Sequence, residues 1–242
     1  DVELIKIDIK HKDFQRLEYD RKVALDRKRL FDNVFVPAEI SHNGQVYKIK
    51  TRLKGDIQDH YQSPSKWSLS VEIKDKDKSL MGMTRFSLQS PKTRNYFYEW
   101  LYHKLLKRED IISLKYDFVK VEINGKDLGI YAIEEHFDKV LIESNNRREG
   151  PILRLNEDIF WEENRGRGVA SVPSTIIELI NQGALASDES SSNIETFNTN
   201  NTLNNQNLKK QFIFARDLLE LFRRGDLKTS QVFDIERLAK FF

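Results

Sequence analysis

Apolar and polar residues alternate along residues 2–9 (VELIKIDI), the period of a half-buried strand. Over residues 13–31 the rhythm lengthens to that of a helix, with Phe14, Leu17, Val23, Ala24 and Leu30 as its expected core contacts. Alternation returns in residues 35–40 and 46–53, on either side of His42-Asn43-Gly44, a hairpin turn signal. Residues 66–73 (KWSLSVEI) give a further strand through Trp67, Leu69, Val71 and Ile73, and residues 75–78 a charged turn. Ser90-Pro91-Lys92-Thr93 precedes a helix over residues 94–107, striped on one face by Phe97, Trp100, Leu101 and Leu105. Residues 118–123 and 128–133 flank Asn124-Gly125, a dipeptide that favours the positive φ angles of a two-residue turn, so they form an antiparallel hairpin. Its second strand runs into Glu134-Glu135-His136-Phe137-Asp138 and a short helical segment.

Past residue 150 the character changes. Residues 187–208 hold seven Asn, four Ser and three Thr, and their four apolar residues cannot supply a core, which predicts a mobile polar insertion. Helical periodicity returns over residues 209–224 through Phe212, Ala215, Leu218, Leu219 and Phe222. Asp234 has the position of an N-cap for a last helix over residues 235–242. That helix stops while still presenting Leu238, Phe241 and Phe242, as if a longer chain had been cut there. The predicted class is α+β: an antiparallel, β-rich lobe over residues 1–136 and a partial helical lobe over residues 137–242.

The length of 242 residues suits one large domain or two lobes, and can bury a sizeable core. Forty basic and 38 acidic residues leave a net charge of +2, so no global field argues for a nucleic-acid or membrane partner. The basic run at residues 21–30 interleaves acids and apolar residues at helical spacing, which reads as a solvated helix face. The absence of cysteine excludes disulfides, thiolate zinc sites and a cysteine nucleophile. No apolar run has the length of a membrane span. The chain begins with Asp1 rather than Met, which a removed signal peptide or an engineered boundary would both explain.

The order of elements (strands, polar loop, a strand beginning with Lys66, a helix carrying Glu99, a hairpin, then helices) is one way to clamp a nucleotide between two walls. In such a site a strand lysine touches phosphate oxygens and a helix carboxylate fixes the lysine. A glycine lets the covering turn approach closely, and Gly55, between Lys54 and Asp56, has that place. No Walker-type or repeated-glycine loop is present. Plainer readings stand beside this one. Lysine is common at exposed strand starts, and Glu99 lies four residues before His103, a spacing for a local pair worth about 0.2–0.5 kcal/mol. Asp56, Asp59 and His60 offer metal-ligand chemistry, though such groups more often cap loops. Glu134, Glu135, His136 and Asp138 either meet a ligand past a strand end or cap the next helix. No Ser/His/Asp arrangement emerges from the spacing, and no aromatic-basic interleaving of the kind single-stranded nucleic acid favours.

Four words in succession, RLKGDIQDH, KWSLSVEI, GMTRFSLQSPKTRNYFYEWLYHKLL and YDFVKVEINGKDLGIYAIEEHFDK, resemble the spore coat protein H family, the CotH-like kinases, with weaker agreement in DIERLAKFF. The resemblance implies a protein-kinase-like fold, with an antiparallel-sheet N-lobe before the helical C-lobe. It implies ATP with Mg²⁺ as cofactor and γ-phosphoryl transfer to protein Ser or Thr. It also implies a secreted, cell-surface or spore-coat location. By position, Lys54-Gly55-Asp56 would lie at the phosphate-covering turn, Lys66 would be the strand lysine and Glu99 its helix partner. Ile133, Glu134, Glu135 and His136 would form the hinge against adenine. The family's catalytic Asp and Mg²⁺-binding Asp/Asn lie beyond the LAKFF-like helix, and no HxD or DFG-like segment stands upstream. The implied function is thus the ATP-binding portion of a kinase, catalytically incomplete. The alternative is a non-catalytic surface or scaffold module binding protein or glycan.

Overall fold

The computed structural model describes residues 2–28, 30, 33–55, 58–75, 77–155 and 194–242. The chain divides into two compact units, Asp1–His136 and Phe137–Phe242.

Seven strands of the first unit close into a barrel in the order β1-β2-β3-β4-β5-β7-β6. They are β1 (Leu4–Asp8), β2 (Val36–His42), β3 (Gln45–Leu53), β4 (Leu69–Ile73), β5 (Arg85–Gln89), β6 (Tyr116–Ile123) and β7 (Lys126–Glu135). Turn chemistry sets the local pairings. Asn43-Gly44 and Asn124-Gly125 all adopt positive φ, the geometry of a two-residue hairpin turn. They join β2 to β3 and β6 to β7 antiparallel.

The expected lobe was wholly antiparallel, and the sheet departs from that at one seam. Here β1 lies parallel to β6, with Ile5 opposite Val121, and this pair closes the cylinder. Closure removes the open edges that a flat sheet would leave for other chains to pair with. Asn124, at the tip of the β6–β7 turn, locks the seam through its N–H to the Ile7 carbonyl at 2.9 Å and its Oδ1 to the Ile9 N–H at 2.7 Å.

Ile5, Ile7, Ile40, Ile49, Leu53, Leu69, Val71, Phe86, Leu88, Val121 and Tyr131 fill the barrel. Each fully buried side chain of this size contributes about 1.5–3 kcal/mol. Helix α1 (His11–Arg27) buries Leu17 and Ala24. Its Phe14 stacks on Trp67 at 5.6 Å. Between β5 and β6 the chain makes a 3₁₀ turn, Pro91–Arg94, then α2 (Tyr98–Arg108). The apolar stripe lies mostly in solvent, with Phe97, Leu101 and Leu105 exposed and Trp100 half-buried, and α2 buries His103 and Leu106.

In the second unit Asp138 Oδ1 accepts the Leu141 N–H at 3.1 Å and caps α3 (Lys139–Ser144). β8 (Leu153–Leu155) pairs antiparallel with β9 (Ile194–Thr196). Four helices follow: α4 (Thr199–Asn204), α5 (Gln206–Arg223), α6 (Thr229–Val232) and α7 (Ile235–Phe241). Of the expected mobile insertion at 187–208, residues 187–193 lie outside the described residues, and the remainder is regular structure. The asparagines that argued for disorder act as caps. Asn198 accepts from the Asn201 N–H, and Asn205 from those of Asn207 and Leu208. The few apolar groups suffice, because Ile194 and Leu208 are buried together with Thr196 and Thr202. Among the described residues no helix is long and apolar enough to cross a membrane.

Candidate functional site

Strand register assembles a polar face on the outside of the barrel. Arg52 lies opposite Ser70, Ser70 opposite Ser87, Ser87 opposite Glu134, and Glu134 opposite Tyr116. Directly paired residues share a face, so these five form one row across β3, β4, β5, β7 and β6. The adjoining row toward the loops holds Gln89, opposite Ala132. Lys54 stands beside it, where its N–H donates to the Ser68 carbonyl at 2.9 Å.

Glu134 is the hub. Its side chain is 11% exposed, and its Oε2 accepts from Lys54 Nζ at 3.0 Å and from Gln89 Nε2 at 2.8 Å. Burying a carboxylate is costly unless it is paired and hydrogen-bonded, and both conditions hold here. The phenol of Tyr116 is pushed up to about 12 by burial, then by the Glu134 and Glu99 charges. It therefore stays a neutral hydroxyl near both carboxylates.

The loop between β3 and β4 carries Gly55 and a 3₁₀ turn, Gln58–His60. His60 is buried, and its Nδ1 shares a hydrogen bond of 2.9 Å with Ser68 Oγ. Burial, then the Lys54 and Arg94 charges, lowers the imidazole to about 4. His136, sharing a 2.6 Å hydrogen bond with Ser87 Oγ, is likewise lowered to about 4, by burial and then by Lys54 and Arg85. Both rings are therefore neutral at pH 7.

The residues singled out in the sequence separate into two groups. Lys54, Gly55 and Glu134 come together, and Asp56 lies outside the described residues. Glu99, on the first turn of α2, pairs with His103 at 3.5 Å, the local pairing its spacing allowed. That imidazole, ahead of the Arg94 and Lys54 charges, holds the Glu99 carboxyl below the usual range, with burial opposing. Lys66 is not joined to Glu99. It precedes β4 instead of opening it, because Ser63 holds a turn there, its Oγ accepting the Lys66 N–H at 3.0 Å. Lys66 Nζ lies over the Tyr131 ring, 4.9 Å from its centroid, and burial lowers its pKa. Tyr131 belongs to the barrel core and Glu134 to the outer face, an odd offset along one strand.

Successive glutamates of β7 also diverge. Glu135 turns inward, 2% exposed, and pairs with Lys115 Nζ at 2.9 Å. As for the expected hinge, the Glu135 and His136 N–H groups are taken by the Lys115 and Arg85 carbonyls at 2.9 and 3.0 Å. Sequence reasoning missed Gln89, Arg94 and Tyr116. The alternation Phe86-Ser87-Leu88-Gln89 was the available signal for the first, since it puts Ser87 and Gln89 on one face of a strand. Among the described residues no group of three or more His, Asp or Glu converges as metal ligands.

No curated protein matches the chain. A family model described as CotH kinase protein matches residues 51–242, which takes in β4 to β7, the loop with Lys54 and Gly55, and the whole second unit. The chain belongs to the CotH kinase protein family.

Proposed function

We propose that the first unit is a nucleotide-binding lobe and that Lys54 is its phosphate-contacting lysine. The observation that carries this is the Lys54–Glu134–Gln89 constellation, in which a buried, doubly bonded carboxylate holds an ammonium at the end of a strand, beside the glycine turn. Kinase catalysis is chiefly positioning plus electrostatic stabilisation of the phosphoryl group, so a lysine fixed by a carboxylate is the part such a lobe must supply.

Chain order supports the reading. Strands β3, β4, β5, β7 and β6 form an antiparallel run with α2 inserted after the third strand, as expected of a kinase small lobe. The third strand, β5 (RFSLQ), carries no lysine, and the cation before the sheet comes from the end of the first strand of the run. Lys54 fits the phosphates of ATP as a point charge, and Mg²⁺ would arrive with the nucleotide. Protein Ser or Thr as acceptor, and a secreted or spore-coat setting, accompany the family reading.

Isothermal titration of the chain with ATP and Mg²⁺ tests this. Wild type and Lys66→Ala should bind alike, while Lys54→Ala should lose binding. A thermal shift provides a second readout, since ligand at about 100 times Kd adds about 2.7 kcal/mol. Absence of binding by wild type, or binding indifferent to Lys54, would sink the proposal.

A further inference from the structure

Lys54 is answered by Glu134, but a second cation of the site has no such partner among the described residues. Arg94 closes the 3₁₀ turn between β5 and α2. Its Nε is buried without an acceptor, and its guanidinium makes no hydrogen bond or ion pair among the described residues. Asp59 and Glu99 feel its charge, yet neither is in contact with it. A buried polar group left without a partner is destabilising, and native folds keep few of them.

The backbone beside Arg94 is strained as well. Asn95 and Tyr96 are consecutive left-handed residues, at φ 49° and 61°. Asparagine tolerates that region, but a bulky ring there is an outlier. The corner is nonetheless held, the Tyr96 N–H donating to the Pro91 carbonyl at 2.8 Å and Thr93 Oγ1 to the Ser90 carbonyl at 2.8 Å. The turn follows directly on β5, whose last residue Gln89 bonds the Glu134 that holds Lys54, and it packs against β7, so Arg94 lies at the Lys54–Glu134 end of the sheet.

We infer that Arg94 is an anion-binding residue of this site, and that the anion is a nucleotide's polyphosphate, clasped between the Arg94 guanidinium and the Lys54 ammonium. The inference rests on the nucleotide-binding reading for the identity of the ligand. A guanidinium presents a planar fork that matches two phosphate oxygens, and an ammonium adds a point charge. A chain of phosphates spans two cations and carries enough charge to outweigh Asp59 and Glu99 beside Arg94.

The test is titration of the full chain with ATP, with tripolyphosphate and with adenosine. Arg94→Gln should weaken ATP and tripolyphosphate alike, by about 10- to 100-fold, the worth of hydrogen bonds to a charged group. Adenosine binding should not change. Arg94→Lys should recover part of the loss, because it restores the charge and not the fork. Among the described residues the guanidinium bonds nothing, so Arg94→Gln should melt at or above the wild-type temperature. Melting lower by roughly 5 °C or more would overturn the premise. ATP binding within about twofold of wild type in Arg94→Gln, with Lys54→Ala lost, overturns the Arg94 assignment and leaves the nucleotide-binding reading standing. Arg94-dependent binding of tripolyphosphate without binding of ATP upholds the anion site and sinks the nucleotide. Failure of wild type to bind either overturns both.

Discussion

Gly55 turns the β3–β4 loop back at the edge of the candidate site, at φ +105°, and an added Cβ would lie 2.2 Å from His60 Cγ, 2.3 Å from Cδ2 and 2.5 Å from Cβ. The imidazole cannot easily swing aside. It is buried against Ser68, whose Oγ bonds Nδ1 at 2.9 Å and whose N–H donates to the His60 carbonyl at 2.7 Å. Gly55→Ala thus carries two costs. A left-handed backbone costs an L residue about 1–2 kcal/mol. Forcing a methyl into packed surroundings adds about 1–3 kcal/mol. The sum, about 2–5 kcal/mol, is a large share of a typical domain stability of about 5–15 kcal/mol. Urea unfolding at pH 7 measures it, and a cycle with His60→Gly separates the two terms. His60→Gly removes all three crowding atoms, so the double variant should retain the backbone term and recover most of the steric one. A Gly55→Ala variant within about 0.5 kcal/mol of wild type would refute the reasoning. So would strict additivity, meaning coupling below about 0.3–0.5 kcal/mol.

The remaining expectations concern charge and capping. His60 and His136 are lowered from 6.5 to about 4, so the unfolded chain binds more protons between those values and stability falls as pH falls through that window. Each contributes up to about 3 kcal/mol, fully present above pH 6.5 and gone below about 4. Urea midpoints should drop between pH 7 and 5, by about half as much in His136→Gln, and a flat profile would contradict the burial argument. Lys115→Met leaves the inward Glu135 with only the Lys115 N–H, at 3.0 Å. Because the Lys115 side chain is 38% exposed, the expected loss is about 1–3 kcal/mol, short of a fully buried pair. Lys115→Met/Glu135→Gln should cost less than Lys115→Met alone, and an equal or larger cost would show that the carboxylate is not the liability. Asn205→Ala removes the cap of α5 and should cost about 1 kcal/mol in thermal unfolding. No change would argue that residues 198–208 need no capping to stay helical.

Much of the barrel could be read directly, because its signals are local. Two Asn-Gly turns and period-two alternation determine β2–β3 and β6–β7 without help from the rest of the chain. The failures are non-local or compensated. Closure by β1 depends on a parallel pairing across more than a hundred residues, which no local pattern encodes. Residues 198–208 look disordered by composition, yet Asn198 and Asn205 spend their polarity on helix N-termini, and capped short helices need few apolar anchors. Helix α2 misleads in the other direction. Its apolar stripe is real, but its buried side is chosen by His103 stacking on Tyr116 at 5.8 Å.

The choice between Lys54 and Lys66 shows where local reading ends. In a strand, residues an even number apart share a face. Leu53 and Ile133 point into the barrel, so Lys54 and Glu134, each one residue further, point out, a parity available from the sequence. Parity alone does not say that the two meet, since 80 residues separate them. The meeting depends on the register of β3 to β4, β4 to β5 and β5 to β7, and β5 is the strand the hydrophobic pattern did not single out. Without β5 the hairpin of β6 and β7 has no fixed neighbour, and Lys66, nearer in sequence to a strand start, looks the better phosphate ligand. With β5 in place, Gln89 reaches Glu134, Glu134 holds Lys54, and Lys66 is left over the Tyr131 ring. A short strand buried on both faces, from Phe86 to Gln89, is thus what converts two ambiguous lysines into one positioned cation.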